Sequence, residues 1–169
     1  QSQKLDSADK GIETVVSLYK FDGKQLQTVY ETKDINIVEN LTEKTYCPSG
    51  FSTNLTDAIG NTIIRMNELL SEKKKRDRES LIITFLTDGD ENSSVFFDTD
   101  TIKNMISKAE SKNWGFIFLG ATPDTFSVAR SYGFNSGTTM QYSTENIKEC
   151  VDSASRVVST MKHMYDMNM

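Results

Sequence analysis

The sequence predicts an α/β fold: a doubly wound, mostly parallel sheet with an antiparallel hairpin at one edge and helices on both faces. Three observations predict it. Two continuous apolar runs, residues 81–86 and 114–119, read as strands covered on both sides, as in a parallel sheet. Segments with apolar residues at three- and four-residue steps alternate with those runs, as crossover helices do. Earlier in the chain, two β-rich stretches flank the dipeptide Asp22-Gly23, a hairpin signal. A length of 169 residues suits one domain spanning 1–169.

Residues 1–10 are polar and read as the end of a helix, with a turn at Lys10-Gly11. Residues 14–21 mix β-branched and aromatic side chains, and 26–30 alternate as an edge strand does, with 35–41 as a trailing extended segment. Pro48 and Gly50 mark 47–52 as a loop. Leu55, Ala58, Ile59, Ile63 and Met66 then trace one buried helix face. Asn54 is its expected cap, Asp57 suits its positive first turn, the cations Lys73 to Arg76 suit its negative end, and the Lys73 to Arg78 run reads as a solvated helix end. Residues 101–112 read as a helix with Ile102, Ile106 and Ala109 on one side. Residues 123–132 read as a short helix with Pro123 in its first turn, and 138–142 as a short strand. Ser143 is expected to cap a last helix turning Ile147, Val151, Ala154, Val158, Met161 and Tyr165 inward.

Composition narrows the function. A formal charge of −5 gives no general attraction to nucleic acid or anionic lipid. No apolar run approaches the roughly 20 residues that cross a bilayer, and no signal-peptide pattern is present. Cys47 and Cys150 match no zinc or redox spacing and read as free, buried thiols, so a cytoplasmic setting is expected. His163 is the one histidine and falls off the apolar face of the last helix, which removes Ser-His and Cys-His catalysis. Neither the phosphate-loop nor the dinucleotide glycine pattern occurs.

In an open α/β sheet, ligands gather outside the carboxyl ends of the strands. Two segments bring hard oxygen donors there: Ser52-Thr53 before the long helix, and 87–92 (Thr-Asp-Gly-Asp-Glu-Asn) after the first apolar strand. Such oxygens suit magnesium, manganese or calcium rather than zinc. A calcium-loop reading of Asp88, Asp90 and Asn92 fails, because Ser93 stands where glycine belongs and Thr99 where the bidentate glutamate belongs. The pair Asp88 and Asp90 also resembles the nucleophile and acid of haloacid-dehalogenase phosphatases. Asn92 departs from that pattern, which leaves phosphoryl hydrolysis as the enzyme alternative.

Three strings carry a further resemblance. Residues 51–60 (Phe-Ser-Thr-Asn-Leu-Thr-Asp-Ala-Ile-Gly) resemble the threonine loop and helix start of von Willebrand factor A domains. Residues 82–94, with Leu86-Thr87-Asp88-Gly89 at their core, resemble that family's fourth strand and aspartate loop. Residues 118–124 (Phe-Leu-Gly-Ala-Thr-Pro-Asp) resemble the fifth strand of stand-alone bacterial and phage members. The resemblance runs from about Glu13 to the last helix. It implies a Rossmann-like fold and a metal-ion-dependent adhesion site, where an Asp-x-Ser-x-Ser motif, a threonine and an aspartate share Mg2+ or Mn2+. A partner protein's Asp or Glu completes the coordination.

Carried onto this chain, Thr53 and Asp88 are the implied metal ligands, with Ser52 and Asp57 just behind them. The loops bearing Gly50, Phe51, Asp90, Glu91, Asn92, Phe96 and Phe97 are expected to meet the partner, the adjacent aromatics as anchors. The Asp-x-Ser-x-Ser string is not found; Leu5-Asp6-Ser7-Ala8 is nearest, with no apolar strand before it. An N-terminally incomplete domain is therefore expected, its central first strand lying upstream or supplied from elsewhere. The expected function is non-enzymatic protein binding. A metal-independent scaffold or oligomeric assembly subunit is the alternative, beside the hydrolase already named.

Overall fold

The computed structural model describes residues 14–40, 42, 52–72, 81–88 and 90–167, with side chains up to residue 164. The elements run β1 (Val15–Phe21), β2 (Leu26–Asp34), α1 (Leu55–Ser71), β3 (Leu81–Thr87), α2 (Thr99–Glu110), β4 (Trp114–Gly120), α3 (Thr125–Ser131), β5 (Thr139–Gln141) and α4 (Ile147–Met167).

The hairpin forms as its residues predict. β1 and β2 pair antiparallel from Val15 opposite Asp34 to Phe21 opposite Leu26, with the register shifting on either side of Leu18. The Asp22 carboxylate closes the turn by accepting the Lys24 and Gln25 amides at 2.8 and 3.2 Å. β2 runs past the expected Tyr30 to Asp34, and a turn replaces the extended segment expected from Ile35. The Asp34 side chain makes that turn by accepting the Asn36 amide at 2.8 Å.

β3, β4 and β5 pair parallel in that order. Every residue of β4 is buried, and its side chains divide between two cores. Phe116 and Phe118 join Ile83, Phe85 and the apolar faces of α1, α2 and α3. Ile117 and Leu119 join Cys150 and Ala154 of α4. Helices therefore cover both faces of the three-stranded sheet, as period-2 alternation demands of a central strand. Phe134 stands among Phe85, Phe116 and Phe118 at centroid distances of 5.8, 6.0 and 5.1 Å.

Two expectations about the sheet need correction. The described residues form two sheets rather than one, with β1 and β3 each an end strand of its own sheet. They share a core, because Tyr19 and Phe21 pack against the cluster that holds Ile83 and Phe85. β3 is also covered less than its apolar run implies: Thr84 and Leu86 are exposed, Leu86 by 50%. The reason is reach. On that side Cys150 and Ala154 of α4 cluster with Ile117 and Leu119, and of β3 only Ile82 joins them.

Helix starts shift where caps intervene. α2 begins at Thr99 because the Asp98 carboxylate accepts the Thr101 amide at 2.7 Å. Pro123 lies in the turn before α3, not in its first turn, and Thr125 donates its hydroxyl to the Thr122 carbonyl at 2.6 Å. Ser143 does not cap α4. Asn146 does so with its carbonyl, which accepts the Cys150 amide at 3.0 Å, and the helix starts at Ile147. Ala154 and Val158 face the sheet as expected, whereas Ile147 and Val151 are 41% and 46% exposed and Cys150 is buried in their place; the Tyr165 side chain lies outside the described residues. His163 is exposed, as expected. Cys150 is a free, buried thiol, whereas Cys47, the 73–78 charge run and residues 1–13 lie outside the described residues. Among the described residues no helix is long and apolar enough to cross a membrane.

Candidate functional site

The two loops singled out by sequence adjoin at one rim. The Thr53 amide donates to the Asn92 side-chain oxygen at 2.8 Å, and the Asn92 amide returns a bond to the Thr53 carbonyl at 3.1 Å. Asp88 follows directly on β3, exposed at its carboxyl end, and Asp90 is exposed beyond it. Ser52 meets the β1–β2 turn so closely that a Cβ on Gly23 would stand 1.6 Å from the Ser52 hydroxyl oxygen. Gly50, Phe51 and Gly89 lie outside the described residues.

Below the rim, α1 and the 91–97 loop cap each other with carboxylates. Glu91 accepts the Thr56 amide and hydroxyl at 2.6 and 2.9 Å. The same carboxylate accepts the Ser93 and Ser94 amides at 2.9 and 2.8 Å and the Ser94 hydroxyl at 2.7 Å. Burial pushes the Glu91 carboxyl up, but the bonds from Thr56 and Ser94 outweigh it, so its pKa falls below the usual 4.5. In return Asp57 accepts the Val95, Phe96 and Phe97 amides at 2.9, 3.0 and 3.0 Å, while its own amide donates to the Ser94 hydroxyl at 3.0 Å. The Thr56 hydroxyl also meets the Tyr132 phenol at 2.7 Å, and burial raises that phenol's pKa.

Asn54 occupies the cap position of α1 as expected, but its side chain makes no capping bond; Glu91 caps instead. The Asn54 Oδ1 and Ser93 Oγ atoms are buried without a hydrogen-bond partner among the described residues, at a cost of roughly 1–3 kcal/mol each.

The mutual capping sorts the expected contact residues. Glu91 turns inward, and Phe97 packs against the core where a Cβ on Gly60 would meet its ring at 2.6 Å. Val95 and Phe96 face solvent, 81% and 79% exposed. Burying two such side chains would gain roughly 3–6 kcal/mol. Three hydrogen bonds to one carboxylate, at roughly 1.5–3 kcal/mol each, are enough to hold them out. Sequence reasoning missed Val95, Ser94 and the Thr56–Tyr132 contact. The only local signal was Asp57 in a helix first turn; its loop partners lie about 40 residues away.

Beside this rim, an open groove of about 420 Å3 runs between the hairpin and α1, lined among others by Leu26, Asn54, Ile64 and Phe96. Arg65 spans it, donating to Glu31 at 2.6 and 3.0 Å and to Glu68 at 3.2 Å. Tyr19 also donates to Glu31; burial and that bond push its phenol up to about 12.

A divalent cation fits this rim in kind and falls short in number. Thr53 and Asp88 carry hard oxygens, whereas every oxygen of Asp57 and Glu91 is already committed to donors. Among the described residues no group of three or more His, Cys, Asp or Glu side chains is arranged to hold a metal ion. No family model matches this chain, and no curated protein matches it either.

Proposed function

We propose that this chain is a protein-binding module of the von Willebrand factor A type, recognising its partner at the rim formed by the Thr53 loop and the loop that follows Asp88. The observation that carries the reading is the paired hydrogen bond between Thr53 and Asn92, which brings the threonine loop and the aspartate loop together. In this reading Thr53 and Asp88 hold Mg2+ or Mn2+, and a partner's Asp or Glu takes a remaining position. The ion supplies charge-assisted attraction; Val95 and Phe96 supply apolar contact beside it. The missing donors come with a central strand set between β1 and β3. Support for that strand lies in two end strands that lend side chains to one core.

The test is calorimetric titration of MgCl2 and MnCl2 with parallel melting curves. In a chain that includes that strand the reading expects saturable binding and a higher melting temperature, both lost in Asp88→Ala; Thr53 and Asp88 alone are expected to bind the ion weakly or not at all. Flat titrations in a chain that includes the added strand would end it.

A second reading has its own support. The carboxylates of Asp57 and Glu91 fasten the loop through backbone and hydroxyl donors, which suits a scaffold that binds without metal. Partner binding that survives EDTA would favour it.

A further inference from the structure

We infer that Asp57 is the positioning residue of this rim: its carboxylate fixes the 91–97 loop in the shape that presents Val95 and Phe96, so the surface is assembled before any cation or partner arrives. The inference rests on the function proposed above for what the surface is used for, and deepens it by setting the order of assembly.

The geometry is specific to this acid. Asp57 is 2% exposed and stands in the first turn of α1, where the helix end favours negative charge. One of its oxygens takes two amides and the other takes one, so three consecutive residues are oriented by a single side chain. Successive amides aimed at one acceptor make an anion-binding concavity, filled here by the protein's own acid. Backbone curled around that acid turns the Phe97 ring down onto Gly60 and leaves Val95 and Phe96 outside. Glu91 reinforces the arrangement from the loop side through Thr56, Ser93 and Ser94. None of these bonds involves Thr53 or Asp88 side chains, the groups available to an ion. A loop fixed in this way binds without an ordering cost.

Amide hydrogen exchange of the full chain, read by NMR in EDTA and again in saturating MgCl2, tests this. In EDTA the Val95, Phe96 and Phe97 amides are expected to exchange at least ~100-fold slower than in an unstructured peptide, with less than about a twofold change on adding MgCl2. Asp57→Asn, which leaves one acceptor oxygen, is expected to speed these three by roughly tenfold beyond any change at Ile117 and Phe118 of β4. Free exchange in EDTA with slowing in MgCl2 would overturn the inference, as would three amides unmoved in Asp57→Asn. If that variant does not fold, the wild-type comparison decides alone. Slow amides in a chain whose melting point ignores MgCl2 and MnCl2 would defeat the metal reading and leave this inference standing.

Discussion

Gly60 and Phe97 show how one contact reverses an ordinary preference. Alanine in a helix interior is favoured over glycine by about 1 kcal/mol. At Gly60 a Cβ would lie 2.6, 2.7 and 2.9 Å from three Phe97 ring carbons, and the Phe97 amide is tied to Asp57. Crowding of that kind costs roughly 1–3 kcal/mol, so Gly60→Ala is expected to lower stability in urea unfolding. In a Phe97→Leu background the same change becomes neutral or stabilising. A single variant more stable than wild type would show that the ring is placed elsewhere. The two neighbouring phenylalanines separate in the same assay. Phe96→Ala changes stability by less than about 0.5 kcal/mol, while Phe97→Ala costs at least ~2 kcal/mol.

Glu91 gives the rim a pH signature. Its pKa is lower folded than unfolded, so its stabilisation is full above about 4.5 and is lost as pH falls through the lower folded value. Glu91→Gln is expected to flatten that acid limb of the stability curve while lowering stability at neutral pH. A variant curve parallel to wild type below pH 4.5 would contradict the hydrogen-bond set assigned to Glu91.

At the scale of elements, β3 and β4 look alike as sequences and differ in surroundings. Both are seven residues long and strongly apolar, yet β4 is wholly buried and β3 leaves Thr84 and Leu86 in solvent. Leu86→Lys is expected to cost under about 1 kcal/mol, whereas Phe118→Ala, from the core between sheet and helices, costs roughly 3–5 kcal/mol. Comparable losses would mean that Leu86 is covered after all. α4 teaches a related lesson. Its apolar residues spread over more than one face, and packing against Ile117 and Leu119 buries Cys150 and Ala154 rather than Ile147 and Val151.

For the molecule as a whole, the outstanding feature among the described residues is a pair of sheets whose end strands share a core. An apolar end strand such as β3 is a template for pairing. With the proposed central strand in that position, a chain carrying it is expected to melt higher and stay monomeric, and the 169-residue chain without it to self-associate with rising concentration in sedimentation velocity. Concentration-independent monomer in the absence of any added strand would count against the central strand proposed above.

Local pattern alone determined most of the elements. Period-2 and period-3.6 spacing, the Asp22-Gly23 turn and the two apolar runs need no distant partner to be read, and the helices and strands stand within a few residues of where they predict. The pairing of the Thr53 loop with the loop after Asp88 followed from strand ends sharing one edge. Tertiary structure decided the rest. Which acid caps which loop, which of Phe96 and Phe97 faces water, and how far α4 covers the sheet depend on groups brought together from 30 to 40 residues away, as Asp57 and Phe97 are. Such contacts are set by packing and hydrogen-bond satisfaction across elements, and no window of neighbouring residues contains them.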